Sequence, residues 1–268
     1  MGGESSVHRS CQIESLTWPE VRDAVARDAG VIVPVGATEQ HGFHLPIGTD
    51  VVLPTELARA VAGALDFLIT PPLMYGCRSR PLSGGGQSFP GTISLSARTF
   101  MSVLEDVLSE LLCQGFRRIA VFSWHMENSN FTYEAAALAI EHARLDDARV
   151  MVHDDPAGAP SEATMEELFH GEFPGWDAEH AAIFETSLML HLRPELVLMD
   201  RAVDDNSPTH PPYDIVPPPK SFIAPSGTLW KATQATAEKG RLIWDEMVPR
   251  VIDEVETALA TARAPRNR

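Results

Sequence analysis

Hydrophobic positions along the chain form short apolar runs that alternate with segments of helical spacing. The continuous apolar runs are short, which predicts buried strands at 31–35, 67–70, 119–122 and 150–152. Between them, apolar residues recur three and four positions apart, which predicts amphipathic helices at 53–65, 97–114 and 131–143. A first helix is expected over 17–30, because Thr17 and Glu20 have the spacing of a capping box.

This alternation of strand and helix predicts an α/β fold, with a mostly parallel sheet covered by helices on both faces. A chain of 268 residues has room for one large core, so 1–268 is expected to form a single domain. The segment 154–177 reads as irregular with one short helix. The proline-rich segment 207–225 predicts an extended arm, either packed on a neighbouring subunit or lying as a plain surface loop. The tail 264–268 is expected to fray.

Composition narrows the class of partner. Hydrophobic residues make up 44% and charged residues 22% of the chain, as in ordinary folded proteins. The formal net charge of −16 argues against nucleic acid, because phosphate binding needs clustered basic residues. The apolar runs are shorter than the roughly 20 residues of a membrane span, and the polar start lacks the apolar region of a signal peptide. We therefore expect a cytoplasmic protein without nucleic-acid or membrane partners.

The cysteines do not indicate a site of their own. Cys11, Cys77 and Cys113 are widely spaced and form no CxxC pair, so neither a disulfide framework nor a thiolate zinc site is predicted. Catalysis by Cys77 is the less favoured alternative.

Two acid–histidine pairs directly follow predicted strands. Glu39 and His41 come after the first strand, and His125 and Glu127 come after the third. In extended chain, residues two apart point the same way, so each pair projects both side chains together. Because ligands collect beyond the carboxyl ends of parallel strands, the two pairs are expected to meet at one place.

Asp50, near the start of the next helix, adds a third carboxylate with two oxygens that could bridge two ions. Two histidines and three carboxylates without a thiolate suit Zn²⁺ or Mn²⁺. Two divalent ions with a bridging hydroxide balance the charge of three carboxylates, whereas one ion leaves negative charge in excess. Such ions, about 3.5–4 Å apart, lower the pKa of a shared water and polarise a carbonyl, so the predicted chemistry is hydrolysis.

Each of these residues also has an ordinary interpretation when it is taken alone. A histidine in a glycine-rich turn is commonly a hydrogen-bonded loop residue, and Glu39 or Glu127 could each be a helix cap. Only the five together, in two matching clusters at strand ends, favour a metal site. His44 is expected outside the set of ligands.

Two further segments carry candidate chemistry. Trp176 and His180 are four residues apart, so on a helical turn they share a face, where His180 could transfer a proton. The alternative is a core Trp with a surface His beside it. Glu185 reads as an acid near a helix start. The loop 75–91 contains Ser83 followed by three glycines, whose missing side chains would let a ligand approach the backbone.

Taken together, the motifs resemble the creatininase (creatinine amidohydrolase) family across 31–240. The resembling segments read ATEQHGFHLPIGTDVVLPT, SGGGQSFPGTISL, HMENSNF, GWDAEHAAIFETSLML and PPYD with a later EKG. The resemblance implies a three-layer α/β/α sandwich that assembles as a homohexamer. It also implies the reversible hydrolysis of creatinine to creatine, with two divalent ions, Zn and/or Mn.

The resemblance also implies roles for individual residues. One metal ion would be held by Glu39, Asp50 and His125. The other would be held by His41, Asp50 and Glu127, with Asp50 bridging. The substrate would contact Ser83, Met126, Trp176, Asp177 and His180. Catalysis would involve His180 in proton transfer, together with Glu127.

The chain departs from the family pattern at two points, which keep other functions open. Met126 stands where the family typically has a Tyr, and the segment after the 150–152 strand lacks a second Trp that would close over the substrate. Loss of that aromatic residue weakens water exclusion and shape selection. The alternatives are a hydrolase for another lactam, lactone or formamide, and a non-catalytic binding module that metal ions stabilise.

Overall fold

The centre of the fold is a parallel sheet. The computed structural model describes residues 11–156, 158, 160–205 and 213–260. Its strands are β1 (Gly30–Val35), β2 (Phe67–Ile69), β3 (Arg118–Ser123) and β4 (Arg149–His153). They pair in the order β2-β1-β3-β4, and every pairing is parallel. Since β1 and β3 are neighbours, the loops that leave their carboxyl ends start side by side.

Helices cover the sheet on both faces. They are α1 (Trp18–Ala26), α2 (Thr49–Ala64), α3 (Ala97–Cys113), α4 (Ser129–Ala143), α5 (Glu162–Phe169), α6 (Ile183–Leu192) and α7 (Ala237–Leu259). Alternate strand residues point to opposite faces, as the period of a strand requires. Val31 and Val33 pack in the same core as Leu104 of α3, whereas Ile32 packs in a separate core with Leu57 of α2. The predicted three-layer arrangement is confirmed.

Helix bounds differ from the predicted ones at functionally relevant places. Helix α2 begins at Thr49, so Asp50 lies in its first turn, where a carboxylate is favoured by the helix dipole. The first helix ends at Ala26, because Gly30 already belongs to β1. The capping box of Thr17 and Glu20 is present as predicted. One short helix, α5, lies within the segment 154–177, as predicted.

Helix α7 was not predicted from the sequence. Its buried residues recur at a spacing of four: Ile243, Met247, Val251, Val255 and Leu259. Charged residues occupy about half of the remaining positions, and Pro249 lies inside the helix, where proline normally argues against one. Packing of the stripe against α6 and α2 outweighs that cost.

Several expectations lie partly or wholly outside the described residues. The tail 264–268, which was expected to fray, lies outside them, and so do residues 207–212 of the proline-rich arm. No helix of the described residues is long and apolar enough to cross a bilayer. The assignment of the whole chain to a single domain stays a prediction.

Candidate metal centre

Three buried ligands meet where β1, α2 and β3 end or begin. The Nδ1 atom of His125 lies 3.1 Å from Oε2 of Glu39 and 3.3 Å from Oδ2 of Asp50. One ligand atom from each of these residues lies within 4.8 Å of the others. The other carboxylate oxygen of Glu39, Oε1, accepts a hydrogen bond from the hydroxyl of Ser79. The structure thus brings together Glu39 from the loop after β1, Asp50 from the first turn of α2 and His125 from the loop after β3.

The second oxygen of Asp50 faces a different histidine. Its Oδ1 lies 3.1 Å from Nε2 of His41, which is completely buried. Nε2 of His41 also lies 3.6 Å from Oε2 of Glu185. One carboxylate therefore lies between two imidazoles, one for each oxygen, which is the arrangement that a bridging ligand needs.

Glu185 is the residue that sequence reasoning missed. It was interpreted as an acid near a helix start, but it joins His41 and His180 in a second group whose ligand atoms lie within 4.8 Å. The available signal was a carboxylate within the apolar first turns of α6, where residues 183–189 are all buried. A buried acid without a partner is costly, so its presence there indicates a cationic neighbour.

Glu127 lies on the far side of His125. Its Oε2 is 3.4 Å from Nε2 of His125, while its Oε1 accepts hydrogen bonds from the amide of Arg80, at 3.0 Å, and the hydroxyl of Ser83. The structure does not group it with His41, the residue with which it was predicted to share an ion. It is closer to the cleft than the other four predicted ligands.

The hydrogen bonds of the two histidines fix their orientation. His41 donates its Nδ1 proton to the carbonyl of Glu39, and His125 donates its Nε2 proton to the carbonyl of Cys77, both at 3.1 Å. Carbonyl oxygens can only accept, so in the neutral rings the opposite nitrogen keeps a lone pair. Metal-binding histidines are commonly held in this way by a backbone acceptor.

The orphaned atoms of the cluster test whether divalent ions fit it. Nε2 of His41 and Oδ2 of Asp50 are buried and make no directed hydrogen bond with any residue that the structure describes. Buried polar atoms are nearly always satisfied, so both positions require a further partner. Imidazole and carboxylate atoms converging on the same space suit Zn²⁺ or Mn²⁺. The residues present therefore fit a divalent-metal centre.

The electrostatics lead to the same conclusion. Burial disfavours charged His41, yet Asp50 and Glu185 raise its pKa well above the ordinary value. Burial likewise opposes ionisation of Asp50, but the neighbouring histidines lower its pKa. In the protein without ions, protons on the histidines must balance the carboxylates. Divalent ions supply that positive charge directly, which is why metal binding releases protons from such sites.

The glycines after Ser83 pack against the centre itself. A Cβ on Gly86 would lie 2.7 Å from Oε1 of Glu39, and one on Gly84 would lie 3.0 Å from Nε2 of His180. Gly84 also has a φ of 132°, which L-residues with side chains rarely adopt. The glycines were expected to admit a ligand to the backbone. In the structure, they let the loop cover Glu39 and His180 closely.

His180 is held by Gln40. The side-chain nitrogen of Gln40 donates to the carbonyls of Gly84 and Gly227, at 2.8 and 3.0 Å, so both of its protons are used. The Nε2 atom of His180 lies 2.9 Å from the backbone carbonyl of Gln40, which can only accept, so Nε2 is the donor in that contact. This leaves Nδ1 of His180 as the nitrogen that can exchange a proton. Its ring centroid lies 4.4 Å from that of His41.

The remaining predicted residues line two cavities. A cleft of about 870 Å³ is bordered by Ser83, Met126, Glu127 and Asp177. Trp176 borders a neighbouring cavity of about 320 Å³, which Met126 also lines. Met126 is 51% exposed, so it is free to contact a substrate. The structure thus places all five predicted substrate residues around the metal centre or its access.

Two residues take structural positions. Nε2 of His44 lies 2.8 Å from the hydroxyl of Thr186. His44 belongs to neither of the two groups that could hold a metal ion, as expected. Cys77 is buried, and burial raises the pKa of its thiol to about 11, so it is a poor nucleophile near neutral pH. Its carbonyl instead serves as the acceptor that orients His125.

Comparison with known proteins identifies the family. Residues 14–255 match the model of the Creatininase family, described as creatinine amidohydrolase. The chain belongs to the creatininase family. It is 40% identical to the creatinine amidohydrolase of Pseudomonas putida over 92% of this chain and 96% of that protein. It is 30% identical to a mycofactocin precursor peptide peptidase of Mycobacterium ulcerans, over 94% of this chain and 90% of the relative.

Solved creatininases share the fold. A glutamate-to-glutamine creatininase mutant complexed with creatine matches with a TM-score of 0.89 and 38% identity, covering 94% of this chain and 99% of that one. A manganese creatininase matches with a TM-score of 0.88 and 40% identity, and a mutant of Zn-Zn type with 0.89 and 39%; each covers 93% of this chain and 98% of that one. The resemblance inferred from the motifs is confirmed.

Proposed function

We propose that this member of the creatininase family is a binuclear metal-dependent hydrolase that converts creatinine and water reversibly to creatine. The observation that carries the proposal is the position of Asp50, whose two oxygens face His41 and His125 separately. The similarity to a protein named creatinine amidohydrolase supports the reaction, and the related creatine complex supports the substrate.

The ions would be Zn²⁺ and/or Mn²⁺, the metals of the related manganese and Zn-Zn creatininases. Glu39, Asp50 and His125 would hold one of them. His41 and Asp50 would hold the other, and the nearby carboxylates that can complete its shell are Glu185 and the originally predicted Glu127. Two bound divalent ions supply an activated water and polarise the carbonyl that it attacks.

The chain's own residues manage protons and position. Hydrolysis forms a bond between the water oxygen and the ring carbonyl carbon, breaks the ring C–N bond and moves a proton to the departing nitrogen. His180 takes up the proton that the attacking water loses and passes it to that nitrogen through Nδ1, since Nε2 is fixed on the backbone carbonyl of Gln40. Glu127, which the Arg80 amide and the Ser83 hydroxyl orient through Oε1, is the second group at the cleft that can exchange a proton.

The substrate is held by residues around the two cavities. Trp176 is fixed edge-on against Phe173 and Phe184, with ring centroids 4.9 and 5.3 Å apart, so it offers a rigid apolar wall. The polar and flexible contacts come from Ser83, Met126, Asp177 and His180. We also propose a cytoplasmic homohexamer that acts on a small molecule without nucleic-acid or membrane partners, on the family resemblance and the charge of −16.

A second function within the enzyme class is hydrolysis of another lactam, lactone or formamide. It is favoured by Met126, which replaces the Tyr of the family pattern, and by the missing second Trp. A non-catalytic module that metal ions stabilise is the third possibility. It differs in having no use for the proton-transfer position of His180.

To test this proposal, the concentrations of creatinine and creatine are measured over time by proton NMR, in the presence of protein loaded with Zn²⁺ or Mn²⁺. We expect the same final ratio from either starting compound, and we expect His180→Asn to lower kcat by about 100-fold or more. His142→Asn, an exposed histidine of α4 that pairs with Glu105, is the matched control and should retain activity. Folded, metal-loaded protein that leaves creatinine unchanged overturns the proposal. In that event a panel of lactams, lactones and formamides distinguishes the second function from the third.

A further inference from the structure

A cavity beside the metal centre has an apolar wall. Its volume is about 320 Å³, within the range of small-molecule sites. The apolar part of its lining consists of Trp124, Met126, Trp176 and Phe184. Glu185, which lies 3.6 Å from His41, forms part of the same lining, so the cavity reaches the centre itself. The cavity is therefore close enough to the metal centre to hold a substituent of a substrate whose ring lies at that centre.

Acidic residues form the outer wall of this cavity, in the segment where the family pattern has its second Trp. They are Asp154 and Asp155, followed by Pro156. The carboxylate of Asp154 accepts a hydrogen bond from the Ser129 hydroxyl, and that of Asp155 accepts one from the amide of Gly158 at 3.1 Å. Both carboxylates are exposed yet fixed in position at the opening.

A third acid lies at the inner end. Glu179 is only 8% exposed and accepts a hydrogen bond from the amide of Phe184 through Oε2, at 2.9 Å. Its Oε1 is buried and has no hydrogen-bond partner among the described residues, although Glu179 lines the cavity. The inner end of the cavity thus has a buried carboxyl group with one oxygen left unsatisfied by the described residues.

No basic side chain balances these acids from within the cavity lining that the structure describes. Arg250 is not part of this lining, and it donates to the carbonyl of Pro156 at 2.7 Å and to Glu254 at 2.9 Å. The cavity therefore combines aromatic and apolar faces with two carboxylates at its opening. Aromatic faces and carboxylates both attract cations, and the apolar wall accommodates an alkyl arm.

We propose that this cavity binds a positively charged substituent on the ring of the substrate, so that the enzyme prefers cyclic amides that carry an ammonium or guanidinium arm. The inference rests on the proposed function and specifies its substrate class. The ring reacts at the metal centre, while the arm passes between Trp176 and Met126 towards Asp154 and Asp155.

The test compares two creatinine analogues that differ only in one N-substituent, 2-aminoethyl or 2-hydroxyethyl. We expect kcat/KM to be about tenfold higher for the cationic analogue, the size expected for a charge held by an aromatic wall and two acids. In the double variant Asp154→Asn with Asp155→Asn, this ratio should fall to about twofold or less. Asp106→Asn removes a carboxylate from the exposed side of α3 and should leave the ratio unchanged. Equal rates for the two analogues, or a ratio that the double variant does not alter, overturn the inference.

Binding measurements separate this inference from the reaction itself. Calorimetry with the metal-loaded protein gives the affinity for each analogue under conditions in which turnover is too slow to matter. Hydrolysis of creatinine with no preference for the cationic analogue, in rate or affinity, contradicts the inference alone. Absence of any hydrolysis contradicts the proposed function; the inference then stands only if the cationic analogue binds at least about fivefold more tightly and the double variant abolishes the difference.

Discussion

The Oε2 atom of Glu185 lies 3.6 Å from the Nε2 atom of His41, at the junction of α6 with the loop after β1. Both residues are buried, and the same histidine lies 3.1 Å from Asp50. An imidazole between two carboxylates on different elements ties α6 to the metal centre. Since α6 also follows the segment that carries Trp176 and His180, this contact links that segment to the candidate metal centre.

Glu185→Gln should weaken the metal site on the His41 side. The amide keeps the size of the side chain but removes its charge, and loss of a ligand or its close neighbour typically costs 10- to 100-fold in metal affinity or activity. We expect about one of the two ions per chain to be lost during dialysis. Elemental analysis by mass spectrometry, with circular dichroism to confirm folding, measures this. Glu195→Gln, an exposed acid paired with Arg193, is the control; full metal content in Glu185→Gln would show that Glu185 is not needed.

Gly86→Ala should displace Glu39. The added Cβ would lie 2.7 Å from Oε1 of Glu39 and 2.6 Å from the Ser79 hydroxyl, and both partners are buried. We expect weaker metal binding and activity lowered by about tenfold or more. The matched change is Gly63→Ala in α2, where a Cβ meets nothing within 4 Å. That variant should be more stable by about 0.5–1 kcal/mol, since alanine favours helix. A Gly86→Ala protein with unchanged metal affinity and rate would contradict the close packing of this loop.

Because of Glu179, the free energy of unfolding should decrease as the pH rises. Burial raises its pKa from 4.5 to about 8. The folded state therefore holds a proton that the unfolded state has released between these values, and the free energy of unfolding falls from about pH 4.5 to 8. Glu179→Gln lacks this titration, so its stability should fall less, by a difference on the order of a few kcal/mol across the range.

Urea unfolding at several pH values measures this effect, with Glu166→Gln on exposed α5 as the control. The control should follow the wild-type curve, while Glu179→Gln should diverge from it above pH 5 or so. Parallel curves for all three proteins would mean that Glu179 titrates like an exposed acid.

The sheet could be predicted because its strands are short, continuous apolar runs that are buried on both faces. The convergence of Glu39, His41 and Asp50 with His125 could be predicted because the ends of parallel strands meet at one edge, and β1 and β3 are indeed neighbours. Helix α7 was missed because Pro249 and many charges conceal its apolar stripe. Its stability comes from packing, which local sequence does not show.

Glu185 was missed for a related reason. In the sequence, Glu185 looks like any acid in the first turn of a helix. Only the packing of α6 shows that it is buried beside His41. The role of the glycines after Ser83 also depends on packing, since a glycine pattern indicates a close approach without showing what comes close. Roles that depend on long-range contacts need the structure, whereas ligand types at strand ends can be recognised from the sequence.

The most direct test of the binuclear hydrolase is a metal titration of protein freed of ions by chelation. Zn²⁺ or Mn²⁺ is added in steps, and creatine formed from creatinine is measured at each step. We predict that activity is absent without metal and rises until about two ions per chain are bound. Full activity in the presence of the chelator, or no creatine at any metal content of folded protein, would contradict the account.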